Sequence, residues 1–153
     1  MTANRGAACP VGPGGAAGRP PGESWFASGP AIVAYIALVR LLAHLLTASR
    51  YGYFRDELYF LACAEHLDWG YVDQPPLIAL VAWFSRRVLG ESLLAIRFLP
   101  ALAGVGLVCL TALMARELGG RRFALALAAL SVGTAAIYLI MHHLLTMNAF
   151  EPL

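Results

Sequence analysis

Residues 123–141 run for nineteen positions without a charged side chain. Coiled as an α-helix, such a run covers roughly 28 Å, close to the hydrocarbon thickness of a bilayer. Two other stretches, 31–49 and 98–115, have nearly the same length and apolar character. A soluble fold has no use for three such helices, because its outer surface must face water. The chain as a whole agrees: its 153 residues are 59% hydrophobic and only 13% charged, with a mean hydropathy of +0.68. The expected class is therefore an all-α membrane protein with three transmembrane helices near 31–49, 98–115 and 123–141. Three spans leave several polar faces without partners, so the expectation is the N-terminal part of a longer protein.

The net charge of +2 is too small for a nucleic-acid binder, and all eleven basic residues are Arg. Cys9, Cys63 and Cys109 match no metal or disulfide spacing and read as unpaired thiols. Residues 1–30 carry seven Gly and five Pro with no apolar run, and read as a disordered tail. The apolar region that follows begins too late and is too long for a signal peptide. A membrane domain then fills 31–153.

Arg40 falls in the middle of the first span, with His44 one turn later on the same face. An Arg at that depth costs on the order of 3 kcal/mol if it faces lipid. It must turn into the bundle or a watery cavity, as a functional contact or as a side chain satisfied by a neighbouring helix.

Residues 50–97 form a long polar insert between the first two spans. It holds Asp56, Glu57, Glu65, Asp68, Asp73 and Glu91, and the amphipathic aromatics Tyr51, Tyr53, Tyr59, Trp69 and Tyr71 that suit a membrane interface. The apolar run 77–84 is too short to cross and reads as a surface helix begun by Pro75-Pro76. The tight turn 116–122 is denser in Arg than this insert, with three in seven residues against five in forty-eight. That places the tight turn and the N-terminus in the cytoplasm and the acidic insert outside. By parity, His142-His143 and Glu151 share the insert's compartment.

Asp56 and Glu57 come just before a helical stretch expected over 58–67. A helix N-terminus favours ionised carboxylates. An ionised Asp at the membrane edge can take a proton from a hydroxyl. The pair can instead hold a divalent cation, or Asp56 can serve simply as an N-cap. Asp73 reads as a second site carboxylate or as the cap of the helix at the prolines. His142 and His143 point to different faces, which suits interfacial histidines better than one metal site. No phosphate loop, paired-Cys motif or Ser-His-Asp arrangement is present.

In order, the chain carries Phe54-Arg55-Asp56-Glu57-Leu58-Tyr59, Asp73-Gln74-Pro75-Pro76-Leu77, Arg97-Phe98-Leu99-Pro100-Ala101-Leu102, Ala115-Arg116-Glu117-Leu118-Gly119-Gly120 and a terminal Thr146-Met147-Asn148-Ala149-Phe150-Glu151-Pro152-Leu153. Over residues 30–153 this order resembles the N-terminal part of glycosyltransferase family 39, which includes protein mannosyltransferases and aminoarabinose transferases. The resemblance implies a polytopic C-type glycosyltransferase fold in the plasma membrane, with surface helices in a long outer loop. It implies inverting transfer of a sugar from a polyprenyl-phosphate donor to a protein, lipid or glycan hydroxyl on the extracytoplasmic face. It makes Asp56 the general base and Glu57 a supporting carboxylate. Arg55, Tyr59, Asp73, Gln74, His142 and Glu151 become candidate substrate contacts, with no certain cofactor and a divalent metal as an option. Some relatives carry basic residues where this chain has Tyr59 and Gln74. Arg55 or the Arg residues of the surface helix are then the substitutes for holding the lipid phosphate. The competing reading is a non-enzymatic polytopic protein, an assembly subunit or transporter piece.

Overall fold

A computed structural model describes residues 28–72 and 74–153, which are all-helical with no strand among them. The tail expected over 1–30 therefore lies almost wholly outside the described residues, as do Cys9 and Asp73. Helix α1 spans Gly29–Thr47, α2 Arg55–Glu65, α3 Pro76–Phe84, α4 Leu93–Glu117, α5 Arg122–Thr134 and α6 Ala136–Met141.

Helices α1, α4 and α5 form a three-helix bundle. On α1 the buried residues are Val33, Ala37, Arg40 and His44, one stripe at helical spacing. Val33 and Ala37 pack with Val108 and Ala112 of α4 and Leu125 and Ala129 of α5. Half of this cluster is alanine. Small residues let helix backbones approach closely, which is how helices adhere in lipid, where the hydrophobic effect gives no drive between them. Gly133 marks a close approach of α5 to α1, since an added Cβ would lie 3.2 Å from Cγ2 of Ile36. The outward faces stay apolar, with Leu38, Val39, Leu42 and Leu46 on α1 and Leu113 and Met114 on α4 all exposed.

The α4–α5 turn ends α4 as the sequence dictates. Gly119 takes a left-handed φ of 84°, the N–H of Gly120 donates to Ala115 at 2.8 Å, and that of Gly119 to Arg116 at 2.9 Å. This double bond pattern needs a residue without a Cβ at the turn. At the other end of α4, Ser92 Oγ accepts the N–H of Ala95 at 3.1 Å. We expect Ser92→Ala to cost about 1 kcal/mol, read as a lower melting temperature in detergent.

Helices α2 and α3 fold back on each other outside the bundle. Phe60 and Ala64 of α2, Ile78 and Ala82 of α3, Ile96 of α4 and Leu145 make a second apolar cluster. Pro76 stands in the first turn of α3, as expected. Leu77, Leu80, Trp83 and Phe84 are exposed on α3, the apolar face a surface helix offers to a membrane. Tyr71 fastens the end of α2, its hydroxyl 2.8 Å from the His66 carbonyl and 3.0 Å from that of Cys63.

Four boundaries differ from expectation. Helix α2 runs Arg55–Glu65 and not 58–67, so Asp56 and Glu57 lie in its first turn and not before it. Helix α1 runs two residues earlier than 31–49. Helix α4 begins at Leu93, so Arg97 sits inside the helix and not before it. The third expected span is not one helix: at Ala135 the backbone turns extended, with φ −61° and ψ 119°, separating α5 from α6. Among the described residues two helices, α1 and α4, are long and apolar enough to cross a membrane, with mean hydropathies of 1.8 and 2.2. The thirteen residues of α5 reach only about 20 Å.

Candidate functional site

Two adjacent carboxylates open α2, and they meet opposite environments. Glu57, the third residue of the helix, turns inward and is fully buried. It reaches back to accept the N–H of Phe54 at 2.9 Å. Its Oε1 accepts Arg97 Nε at 2.8 Å and the N–H of Leu145 at 3.1 Å. Its Oε2 takes Arg97 Nη2 at 2.8 Å. A carboxylate offers about four acceptor positions, and these four donors fill them. Burial pushes the Glu57 carboxyl toward neutrality, but Arg97 and the N–H groups of Phe54 and Leu145 outweigh it and hold it below the usual carboxylate range.

Arg97 is equally committed. Beyond its fork on Glu57 it donates to the carbonyls of Ala48, Tyr51 and Gly52, the last at 2.9 Å. One guanidinium thus fixes the end of α1, the connecting loop, the start of α2 and, through Glu57, the backbone at Leu145. Planar geometry with five donors is what lets Arg do this.

Asp56 is left with a different task. The cap position belongs to Phe54, so Asp56 does not cap α2. It stands in the first turn, its side chain 43% exposed, and its partner is Arg55 Nε at 3.4 Å. Arg55 itself is 92% exposed, so the pair is loose and open to solvent.

Beside this loop lies a cleft of about 520 Å³, lined by His44 and Thr47 of α1, Tyr51 to Phe54, Arg97, Leu139 and Ile140 of α6, and His143. Its walls are mostly apolar with aromatic residues on the loop side. His44 and His143 meet edge to face, ring centres 5.6 Å apart. Burial, then the Arg97 charge, holds the His143 imidazole below its ordinary value, only partly offset by Glu57.

The other expected site residues scatter. Tyr59 is half-exposed on α2 and touches the Phe60 ring. Gln74 is buried against α2, its Nε2 3.4 Å from Cys63 Sγ, and so turns away from any phosphate outside. His142 is buried in the bundle beside Arg40, 3.1 Å from its Nη2, and away from the cleft wall that His143 lines. Glu151 is exposed. Of the Arg residues that follow α3, Arg86 is engaged with Glu65 at 3.2 Å and Glu91 at 2.8 Å. Cys63 and Cys109 are free thiols. No cluster of three or more potential metal ligands occurs among the described residues, and Glu57, with all four acceptor positions taken, has none to give a cation. The residue that sequence reasoning underrated is Arg97. Its signal was present: a charge bordering an apolar run demands a buried partner, and Glu57 is that partner.

A comparison with family models matches residues 73–151 to the family described as dolichyl-phosphate-mannose-protein mannosyltransferase. The matched segment takes in α3 through the loop after α6, with Arg97, His142 and His143, and begins beyond α2. No curated protein and no solved structure matches. With that match over half its length, the chain belongs to the dolichyl-phosphate-mannose-protein mannosyltransferase family, a glycosyltransferase family of the membrane.

Proposed function

We propose that this chain carries the acceptor-activating part of a membrane glycosyltransferase. In this reading the enzyme moves a sugar from a polyprenyl-phosphate donor to an acceptor hydroxyl on the extracytoplasmic face. The observation that carries it is the division of labour at α2: Glu57 is saturated by Arg97 and two N–H groups, while Asp56 next to it stays half-exposed, two residues along the chain from Phe54 of the cleft wall.

Asp56 is the general base. The acceptor oxygen attacks the anomeric carbon from the side opposite the phosphate. Its proton passes to Asp56, the anomeric C–O bond breaks, and the polyprenyl phosphate leaves with the bonding pair, inverting the anomeric centre. The apolar cleft suits the prenyl end of the donor, and Arg55, exposed beside Asp56, is the cation assigned to its phosphate. Glu57 and Arg97 do no chemistry; they hold the loop on which Asp56 stands.

The test is transfer from a polyprenyl-phosphate sugar in membranes containing the full protein with Asp56→Asn. Loss of transfer with normal insertion is expected. Undiminished transfer overturns Asp56 as the base, and an absence of transfer in the wild-type protein favours a non-enzymatic role.

A further inference from the structure

Helix α5 breaks from α6 at Ala135, two residues after Gly133 and with no Pro near it. Sharp breaks in helices have causes such as Pro, Gly or an inserted side chain. Gly133 weakens the helix here, and a side chain from another helix is inserted at the break. Arg40 Nη1 donates to the carbonyl of Val132 at 2.9 Å, and Nη2 to that of Tyr138 at 3.0 Å. Val132 lies before the break and Tyr138 after it. In an unbroken helix the Val132 carbonyl would accept the N–H of Ala136. Arg40 takes over that acceptor inside the bundle, where an unpaired carbonyl would be costly.

The guanidinium also meets His142, whose Nδ1 stands 3.1 Å from Nη2 and 2.6 Å from the Tyr138 carbonyl. With a proton on Nδ1 the imidazole donates to Tyr138; with Nδ1 bare it accepts from Arg40. Either tautomer ties the ring to the same junction. Space for the junction is made by Gly104 of α4, where an added Cβ would lie 3.0 Å from Cγ of His142 and 3.2 Å from Nε and Nη2 of Arg40. Three residues beyond His142, the N–H of Leu145 completes the shell of Glu57 at 3.1 Å.

We infer that Arg40 is a positioning residue, which holds the α5–α6 break in one geometry and thereby seats the turn 142–145 against Glu57; its bearing on transfer rests on the function proposed above. A simple charge in need of partners does not account for the arrangement. Lys would bring the same charge on a compact ammonium without the planar fork. Only the fork serves the carbonyls on both sides of the break and the imidazole together. Arg40 keeps this post even though its Nε is buried with no hydrogen-bond partner.

Backbone amide exchange of the full chain in lipid nanodiscs tests this, read at residues 142–150 with 105–112 of α4 as internal reference. Arg40→Lys keeps the charge and loses the fork, and should raise exchange at 142–150 by about tenfold while the reference holds. Gly104→Ala keeps Arg40 itself and crowds the junction. A helical Gly→Ala otherwise favours the helix, so faster exchange confined to 142–150 reports the clamp. If Arg40→Lys fails to accumulate, Gly104→Ala decides alone. Wild-type exchange at 142–150 overturns the inference, and so does a rise spread equally over α4, which would mean general loosening. Where transfer is measurable, both variants should lower kcat with little change in KM for the donor. Absence of transfer in the wild-type protein would remove that arm and leave the exchange result standing.

Discussion

Replacing Arg97 by Leu is expected to cost about 3–5 kcal/mol, the usual result of stripping one partner from a buried ion pair. Total stabilities are on the order of 5–15 kcal/mol, so the variant should melt far below the wild type or fail to accumulate in membranes. The loss has two sources. Glu57, fully buried, keeps its charge without a counter-ion. The carbonyls of Ala48, Tyr51 and Gly52 lose their donor. Arg97→Lys restores the charge but not the fork, so it should recover only part of the stability. Removing both partners, with Glu57→Leu and Arg97→Leu together, should be milder than the sum of the single changes. It should not be neutral, because the N–H groups of Phe54 and Leu145 and the loop carbonyls stay unpaired. A wild-type melting temperature for Arg97→Leu would sink the account of Arg97 as the fastening of the loop.

The same pair sets a pH dependence. The folded Glu57 carboxyl lies below its unfolded value near 4.5. Its contribution is therefore complete above that value and is lost as pH falls through the folded one. Wild-type melting should drop on acidification below about pH 4.5, and Glu57→Gln should flatten that part of the profile.

How much of this could be read from the sequence depends on whether the cause was local. Helices α1 and α4 and the Gly119-Gly120 turn follow from apolar runs and from a residue type that only one backbone geometry needs. The start of α3 follows from Pro76. The break at Ala135 has only a faint local signal, Gly133 with the back-bonding Ser131 and Thr134 just before it. The side chain that bonds across it, Arg40, lies 92 residues from Val132, and the run 123–141 looks continuous because every residue in it tolerates a helix. The acidic pair shows the same divide. That Asp56 and Glu57 open a helix is a local fact. Which of them stays open is decided by Arg97, 40 residues beyond Glu57. Taking Arg97 as the edge of an apolar run, and not as a member of the helix, hid that partnership. Gln74 illustrates the converse: a polar residue in a loop looks available, yet it faces Cys63 in the α2–α3 interior.

The division between the two carboxylates gives the second large effect. Asp56→Asn removes a proton acceptor and keeps the shape of a half-exposed side chain, so transfer should fall by about 10²–10⁴-fold, the range of general base catalysis. Stability should change by no more than about 0.5 kcal/mol, since its one partner among the described residues is the exposed Arg55. Glu57→Gln should behave differently. One of its oxygens becomes an NH2 group aimed at a donor already in place, so the α2 start, the loop and the Leu145 backbone all loosen together. Transfer and melting temperature should then fall in step. The comparison is made by measuring both quantities on both variants in the same membranes. If Asp56→Asn lowers stability as much as Glu57→Gln does, Asp56 is a structural residue and the base must be sought elsewhere. If Glu57→Gln abolishes transfer and leaves melting untouched, the roles are reversed, and the buried carboxylate reaches the chemistry after a rearrangement of Arg97. The four donors on Glu57 argue against that second outcome, because each would have to be broken before it could accept a proton from substrate.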